Sequence, residues 1–315
     1  MSTTRRRFVQ TSAALGALAI IGASARAASD EKSELGDKTP TKMSPRAFSI
    51  SLAEWSYHDA LQKGRMLHAD FARVAKETHG IHAVEYVNSF FKDKVGDVEF
   101  VKDLKKRADD LSVKILLVMC DGEGDLGHAD KAKRVEAVAN HRKWLEAARE
   151  LGCHSIRVNA YGSGTPDEHM AQAADGLRAL CVLADPLGLN VIVENHGGMS
   201  SNGAWLASVM KRADHPRIGT LPDFGNFSIG EGKTYDRYQG VSEMMPFAKA
   251  VSAKSHEFDE KGDETSTDYA KMMRIVLDAG YRGYVGIEYE GSRLSEKDGV
   301  DATKRLLERV RGDVR

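Results

Sequence analysis

Short apolar runs alternate with amphipathic segments along most of this chain. The apolar runs have the length and composition of buried strands, and the segments between them carry apolar residues at helical spacing. This alternation predicts parallel β-strands connected by helices that pack outside the sheet, which is the α/β class. The eight runs begin near Phe48, Ile81, Val113, Ser155, Leu189, Arg217, Lys249 and Gly283, and clear helical segments are 70–79, 100–111, 132–151, 168–187 and 269–279.

Two architectures fit such an alternation, a (β/α)8 TIM barrel and a doubly wound open sheet. The open sheet normally brings a glycine-rich loop after its first strand. Here the first strand runs into Glu54-Trp55-Ser56-Tyr57-His58, which has no phosphate-binding motif. A barrel of this type commonly forms one domain of about 250 residues. We therefore predict a single TIM barrel over residues 46–315.

The beginning of the chain has a different character. Arg5-Arg6-Arg7 precedes an apolar stretch from Ala13 to Ala23 and a small-residue site that ends at Ala27. This is the order of a secretory signal peptide with a twin-arginine motif, and the apolar stretch is shorter than the roughly 20 residues that span a bilayer. We expect residues 1–27 to be a cleaved leader, residues 28–45 to be a flexible linker, and the protein to be periplasmic or extracellular.

The charge balance and the cysteine spacing exclude several classes of partner and of metal site. The chain has 45 basic and 46 acidic residues, so it creates no overall field that attracts nucleic acid or an anionic membrane. A small molecule is the favoured partner, and a homo-oligomer is compatible with this surface. Cys120, Cys153 and Cys181 form no C-x-x-C pair, which argues against a thiolate zinc site. We predict three buried thiols, with one bridged pair as the alternative.

Four residues of metal-ligand type recur at nearly equal intervals, each at or near the C-terminal end of a predicted strand. A parallel barrel brings these strand ends together at one face, so the four side chains can converge on one ion. Carboxylates with one imidazole suit Mn²⁺, Mg²⁺ or Co²⁺, and also Zn²⁺ if a water completes the shell. The predicted ligands are Glu194, Asp223, His256 and Glu288.

Strand alternation predicts which neighbours share the face of these ligands. His196 shares a face with Glu194, and Lys254 shares one with His256. An unpaired buried ammonium is costly, so we expect Lys254 to meet a substrate or a carboxylate. Glu85, on the second strand, either contacts the substrate or pairs with an arginine. The predicted substrate contacts from these strands are Glu85, Asn159, His196 and Lys254.

The segments VENHGG, DFGN, KSHEFDE and GIEYEG, in this order, resemble the sugar phosphate isomerase/epimerase family of xylose-isomerase-like TIM barrels. The resemblance runs from about Phe48 to about Gly291 and is greatest to exported members. It implies that one divalent ion is bound by a Glu, an Asp, a His and a Glu, and that the two glutamates flank the substrate carbon. These places fall on Glu194, Asp223, His256 and Glu288.

Two departures from the family pattern concern substrate recognition. Several epimerases of the family have a D-x-x-H motif, whereas this chain has Asn226 in place of the histidine. Lys254 stands where some relatives carry histidine. We therefore expect Asn226 to contact the substrate through its amide, and the identity of the sugar is left open.

The chemistry that follows is proton transfer. A divalent ion chelated by a carbonyl and the adjacent hydroxyl acidifies the intervening C–H bond and stabilises the resulting enediolate. Glu194 and Glu288 are the predicted acid/base pair. Proton return to the opposite face would epimerise the sugar, and return to the neighbouring carbon would isomerise it.

Three alternatives remain beside this isomerase or epimerase. A metal-dependent lyase or hydrolase acting on 3-keto-glycosides could use the same site. An endonuclease IV-like nuclease would need more histidine ligands and a basic rim, which the charge balance and the leader disfavour. A non-catalytic sugar-binding protein would not require the complete set of ligands.

Overall fold

Each predicted apolar run becomes a parallel strand, and each strand begins within two residues of its predicted start. The computed structural model describes residues 47–313. A small hairpin of β7 (Ser228–Gly230) and β8 (Lys233–Thr234), which the sequence did not predict, follows the sixth strand. The eight strands of the main sheet are β1 (Ser49–Ala53), β2 (Ala83–Val87), β3 (Lys114–Met119), β4 (Ser155–Val158), β5 (Asn190–Glu194), β6 (Ile218–Leu221), β9 (Val251–Ser255) and β10 (Tyr284–Tyr289).

Helices follow the strands and mostly begin at side chains that satisfy free backbone N–H groups. In α5 the Thr165 hydroxyl accepts the N–H of Glu168, and the Glu168 carboxylate accepts the N–H of Thr165. Pro166 occupies the first position of this helix, where the missing N–H is not needed. The helices are α1 (His58–Gln62), α2 (Phe71–His79), α3 (Val98–Asp110), α4 (Lys131–Glu150), α5 (Pro166–Ala184), α6 (Gly203–Ala213), α7 (Arg237–Met244), α8 (Tyr269–Asp278) and α9 (Glu296–Asp313).

Neighbouring strands of the main sheet follow the order of the sequence. β1 pairs with both β2 and β10, and the parallel ladder continues to β6 on one side and to β9 on the other. The junction between β6 and β9, which we call the seam, has backbone hydrogen bonds from Lys249 N to Thr220 O (3.0 Å), from Ser252 N to Pro222 O (2.9 Å) and from Phe224 N to Ser252 O (3.1 Å). A doubly wound sheet reverses its strand order, so the TIM barrel prediction is confirmed and the open-sheet alternative is wrong.

Two apolar regions hold the barrel together. The larger one lies between the outside of the sheet and the helices, and the smaller one fills the lumen. Trp55 and Phe90 pack against the lumen cluster, with their ring centroids 6.0 Å apart. Since this part of the lumen is packed with apolar side chains, a substrate can reach the barrel only at the strand ends. The lumen cluster consists of Ala53, Val87, Leu117, Met119, Ile192, Leu221 and Ala250.

Other expectations can be compared with this structure. All three cysteines are buried and unbridged, which confirms the first of the two cysteine predictions. Within residues 47–313, no helix has both the length and the apolar character that crossing a membrane requires. The leader (1–27) and the linker (28–45) lie outside the described residues, so export stays a prediction.

Candidate active site

Three acidic side chains meet at the C-terminal end of the barrel. Glu194 is the last residue of β5, Asp223 follows β6, and Glu288 is the next to last residue of β10. One oxygen from each lies within 4.8 Å of the others, and each residue is at most 4% exposed. We call these three residues the carboxylate cluster. The sequence placed all three at strand ends, and the fold brings them together.

Burial and proximity shift the acidity of the cluster. Burial and, next to it, repulsion from nearby carboxylates raise the pKa of Glu194 to about 7 and that of Asp223 to about 7, against the opposing effect of nearby cations. Burial also opposes ionisation of Glu288, but Lys254 and then Arg157 lower the pKa of Glu288 below its usual value. The cluster therefore combines two carboxyl groups whose pKa is raised with one whose pKa is lowered, although all three are almost equally buried.

Lys254 points into the cluster. Its Nζ lies 3.2 Å from Glu288 Oε1 and 3.4 Å from Glu290 Oε1, and it donates to Asn226 Oδ1 at 3.4 Å. Burial alone would lower the pKa of Lys254, but Glu288 and then Asp223 raise it well above its usual value. The buried ammonium is thus charged and paired with carboxylates, one of the two partners expected from the sequence.

Ser252 is a member of the site that the sequence analysis missed. It precedes Lys254 by two residues on β9, so both side chains point to the same face. The Ser252 hydroxyl donates to Asp223 Oδ2 at 2.6 Å and lies 3.2 Å from Glu288 Oε2. Alternation from Lys254 was the signal that could have identified it.

His256 does not join the carboxylate cluster, contrary to the expectation that it would be the fourth ligand. β9 ends at Ser255, so the alternation that would place His256 on the face of Lys254 no longer holds. The His256 side chain is 42% exposed, and its Nε2 lies 3.9 Å from Glu290 Oε2. The seventh strand of the barrel therefore brings a hydroxyl and an ammonium to the cluster instead of an imidazole.

Arg157 approaches the cluster from β4. Its Nε lies 3.0 Å from Glu194 Oε2, but the two atoms are not aligned for a hydrogen bond. Its Nη1 donates to Asp121 Oδ1 at 2.7 Å. Burial raises the pKa of Asp121, yet Arg157 and a hydrogen bond from Asn159 outweigh it and lower that pKa to about 2. Asp121 was not predicted, and it fixes both Arg157 and Asn159.

Asn226 links several members of the site. Its Nδ2 donates to Glu194 Oε1 at 3.0 Å, and its backbone N–H donates to Asp223 Oδ1 at 2.8 Å. Asp223 Oδ1 also accepts the N–H of Gly225, so the aspartate side chain closes its own turn. A Cβ at Gly225 would lie 3.0 Å from Cγ of Lys254, so glycine leaves room for that side chain.

His196 lies at the edge of the cluster, two residues after Glu194. Its Nδ1 is 3.1 Å from Asn159 Oδ1 and 3.0 Å from the Tyr161 hydroxyl. Burial, and then Arg157, lower the pKa of His196. A neutral imidazole with these neighbours can accept from or donate to a sugar hydroxyl, depending on its tautomer.

Glu85 lies lower in the barrel than the strand ends. It is 2% exposed and accepts a hydrogen bond from Ser51 at 2.6 Å. Its carboxylate occupies the space beside Gly286, where an added Cβ would lie 2.6 Å from Glu85 Oε1. Burial raises the pKa of Glu85 to about 7. Among the described residues Glu85 makes no hydrogen bond to the carboxylate cluster, although repulsion from Glu288 and Glu194 adds to the effect of burial on its pKa.

The cluster has the donors that a divalent cation needs. Three carboxylate oxygens converge, and the buried Oε2 of Glu194 has no aligned hydrogen-bond donor within residues 47–313, although the guanidinium of Arg157 lies 3.0 Å from it. All-oxygen ligands suit Mg²⁺ or Mn²⁺. Glu194, Asp223 and Glu288 could therefore hold a metal ion in competition with Lys254.

Comparison with known proteins shows the family to which this fold belongs. The family model described as xylose isomerase-like TIM barrel matches residues 72–311. The chain belongs to the xylose isomerase-like TIM barrel family. The chain is similar in sequence to the 3'-dehydrocarminate deglycosidase alpha subunit of a Microbacterium species. The two are 23% identical, and the match covers 78% of this chain and 90% of the relative.

Solved xylose isomerase-like barrels superpose on this one. The apo 3-keto-D-glucoside 4-epimerase of E. coli gives a TM-score of 0.62 at 18% identity, covering 83% of this chain and 99% of that one. A structure described as the IOLI protein with a binding zinc atom gives 0.64 at 12% identity, covering 84% and 99%. At these identities the likeness shows the fold, and the role of the site depends on its own residues.

Proposed function

We propose that the protein is a divalent-metal-dependent sugar isomerase or epimerase that moves a proton at a carbon beside a carbonyl group. The supporting observation is the buried carboxylate cluster at the end of the barrel where this fold carries its active sites. Glu194 and Glu288 reach it from β5 and β10, which are not neighbours in the sheet. A sugar carbon placed between them could be reached by both carboxylates.

The roles of the residues follow from their contacts. A divalent ion held by Glu194, Asp223 and Glu288 would polarise the sugar carbonyl and acidify the adjacent C–H bond. One glutamate takes the proton and the other returns it, with Asn226 orienting Glu194 and Lys254 orienting Glu288. His196 and Asn159, which contact each other at 3.1 Å, are placed to bind sugar hydroxyls.

The first test is deuterium uptake from D₂O, followed by proton NMR. The Mn²⁺-loaded protein is incubated with free, phosphorylated and 3-keto sugars and with 3-keto-glycosides, and an EDTA-treated sample is the control. We expect metal-dependent exchange at one carbon beside the carbonyl. If no sugar in the panel exchanges, the proposed class of substrate is wrong. If exchange is unchanged by EDTA, the proposed metal dependence is wrong.

Glu288→Gln tests the assignment of the acid/base pair. Removing one general acid or base should slow exchange by about 10²- to 10⁴-fold. The matched control is Glu123→Gln, since Glu123 is also a buried glutamate (4% exposed) but pairs with Lys143 at 2.8 Å, outside the cluster. Wild-type exchange in Glu288→Gln, with a correctly folded protein, would move the chemistry to other residues.

A second candidate is elimination from a 3-keto-glycoside. The alpha subunit of a 3'-dehydrocarminate deglycosidase is similar over 78% of this chain. Proton removal beside the keto group could be followed by departure of the substituent on the next carbon, so the first step needs the same glutamates. In the same NMR experiment, release of the free aglycone would identify this reaction, and exchange without release would identify the isomerase or epimerase.

A further inference from the structure

A cavity beside the candidate active site has no role in the proton transfer described above. It has a volume of about 480 Å³ and lies between the loops that follow β4 and β5. Its walls are residues 160–164 and 197–200, together with Asp125 and His169. Ligand cavities of about 300 to 1,000 Å³ are common in proteins, so this one can hold a group the size of a ring.

Tyr161 is the feature of this cavity that points to a ligand. Of the Phe, Tyr and Trp side chains within residues 47–313, it alone is exposed, at 39%. Its hydroxyl donates to the backbone oxygen of His196 at 3.0 Å, so the polar end is satisfied while the ring stays accessible. A fixed aromatic ring with an open face is a platform on which another ring can stack.

The wall opposite Tyr161 carries little side-chain bulk. Gly197 and Gly198 line it, and a Cβ built on either would meet nothing within 4 Å. Both have positive φ, 89° and 58°, a backbone conformation that favours glycine. The space beside them therefore stays open, and Met199 adds an apolar surface next to it.

One residue, His196, connects the lining of the cavity to the strand that carries Glu194. Glu194 ends β5, His196 follows two residues later, and Tyr161 binds His196 through the backbone oxygen. The rings of Tyr161 and His196 are stacked, with centroids 6.3 Å apart and an interplanar angle of 22°. A sugar ring held at the cluster could thus extend a substituent past His196 and onto Tyr161.

We infer that this cavity is a subsite for the ring-bearing substituent of a glycoside whose sugar ring lies at the carboxylate cluster. The shared chemistry is a ring with an apolar face, either an aromatic aglycone or a second pyranose. The inference rests on the proposed function only for the position of the first sugar ring. It assigns a glycoside, rather than a free monosaccharide, as the class of substrate.

Binding of unreactive glycosides tests the subsite without turnover. Titration calorimetry of the purified full-length protein would compare phenyl β-D-glucopyranoside, cellobiose and methyl β-D-glucopyranoside. We expect at least one of the two ring-bearing ligands to bind about tenfold more tightly than the methyl glycoside, from one added stacking contact. A preference for phenyl identifies an aromatic occupant, and a preference for cellobiose identifies a second sugar.

Variants of the cavity lining test whether the tighter binding of ring-bearing glycosides depends on this cavity. Tyr161→Ala should abolish the tighter binding, while Tyr161→Phe, which keeps the ring, should retain most of it. Ser163→Trp, at an exposed position in the wall, should block the cavity and also abolish it. Leu294→Ala is the control, because Leu294 is also 39% exposed but lies outside this cavity.

Failure of the subsite is distinguishable from failure of the proposed function. Equal binding of all three glycosides, or an unchanged preference in a folded Tyr161→Ala protein, would overturn the subsite. If keto sugars exchange deuterium but 3-keto-glucose and its phenyl glycoside have equal kcat/KM, the function stands and the subsite is wrong. If no keto sugar exchanges but the Tyr161-dependent binding is seen, the subsite stands and the reaction is wrong.

Discussion

Replacing Lys254 with methionine removes a buried charge and keeps a flexible side chain of similar length. Coulomb's law with an effective dielectric constant of about 20 gives about 5 kcal/mol for unit charges at the 3.2 Å between Lys254 Nζ and Glu288 Oε1. Removing one partner of a buried ion pair typically costs about 3 to 5 kcal/mol. Because a domain of this size loses about 2 to 4 °C per kcal/mol, we expect the melting temperature in EDTA to fall by about 10 °C.

Manganese should reverse much of this loss. In the wild type the ammonium of Lys254 competes with a divalent cation for the oxygens of Glu288. In Lys254→Met that competitor is absent, and the carboxylates are left with less compensating charge. We therefore expect MnCl₂ to raise the melting temperature of the variant more than that of the wild type. The Mn²⁺ affinity, measured by calorimetry, should rise at least about tenfold.

The control is Lys249→Met. Lys249 precedes β9 and its Nζ donates to Pro216 O at 3.3 Å, outside the carboxylate cluster, so its response to Mn²⁺ should equal that of the wild type. The reasoning is refuted if Lys254→Met melts in EDTA at the wild-type temperature. It is also refuted if Mn²⁺ stabilises the wild type more than the variant.

Two further predictions concern stability. The pKa of Glu85 rises from 4.5 to about 7 in the folded protein, so its contribution is complete below pH 4.5 and is lost as the pH rises through 7. In the Glu85→Gln variant this loss should be absent. Between pH 4 and pH 8, in urea unfolding with EDTA, the wild type should therefore lose about 3 kcal/mol of unfolding free energy that the variant keeps. Parallel pH profiles of the two proteins would contradict this prediction. Gly176→Ala places a Cβ 2.0 Å from Leu126 O and should lower the free energy of unfolding by at least about 2 kcal/mol, despite the better helix propensity of alanine. Gly96→Ala, whose Cβ would have nothing within 4 Å, should be near neutral in the same urea assay.

Much of the fold could be predicted because it depends on local patterns. The apolar runs are short and are separated by segments with helical period, and a parallel barrel is an arrangement that this alternation favours. Glu194 and Glu288 were selected as candidates for the same reason, since each lies at or near the end of a mostly apolar run. Convergence of strand ends then follows from the barrel itself.

The differences between the predicted and the observed cluster have another origin. The prediction for His256 rested on the nearly equal spacing of the four candidate ligands, and spacing along the chain does not fix the direction of a side chain that follows the last residue of β9. Ser252 and Asp121 have ordinary sequence surroundings, and their importance comes from partners 29 and 36 residues away in the chain. Such contacts depend on the relative positions of strands, which no local pattern specifies.

The seam between β6 and β9 contributes both to the closure of the barrel and to the candidate site. Asp223 and Ser252 form a bridge that closes the cylinder, and the same two residues are joined at the carboxylate cluster. Any fluctuation that opens the cylinder at this junction would separate Asp223 from Ser252 and disrupt the carboxylate cluster before the rest of the sheet is disturbed. Conversely, a ligand bound at the cluster would join β5 and β6 to β9 and β10 across this junction, so ligand binding should stabilise the closed barrel.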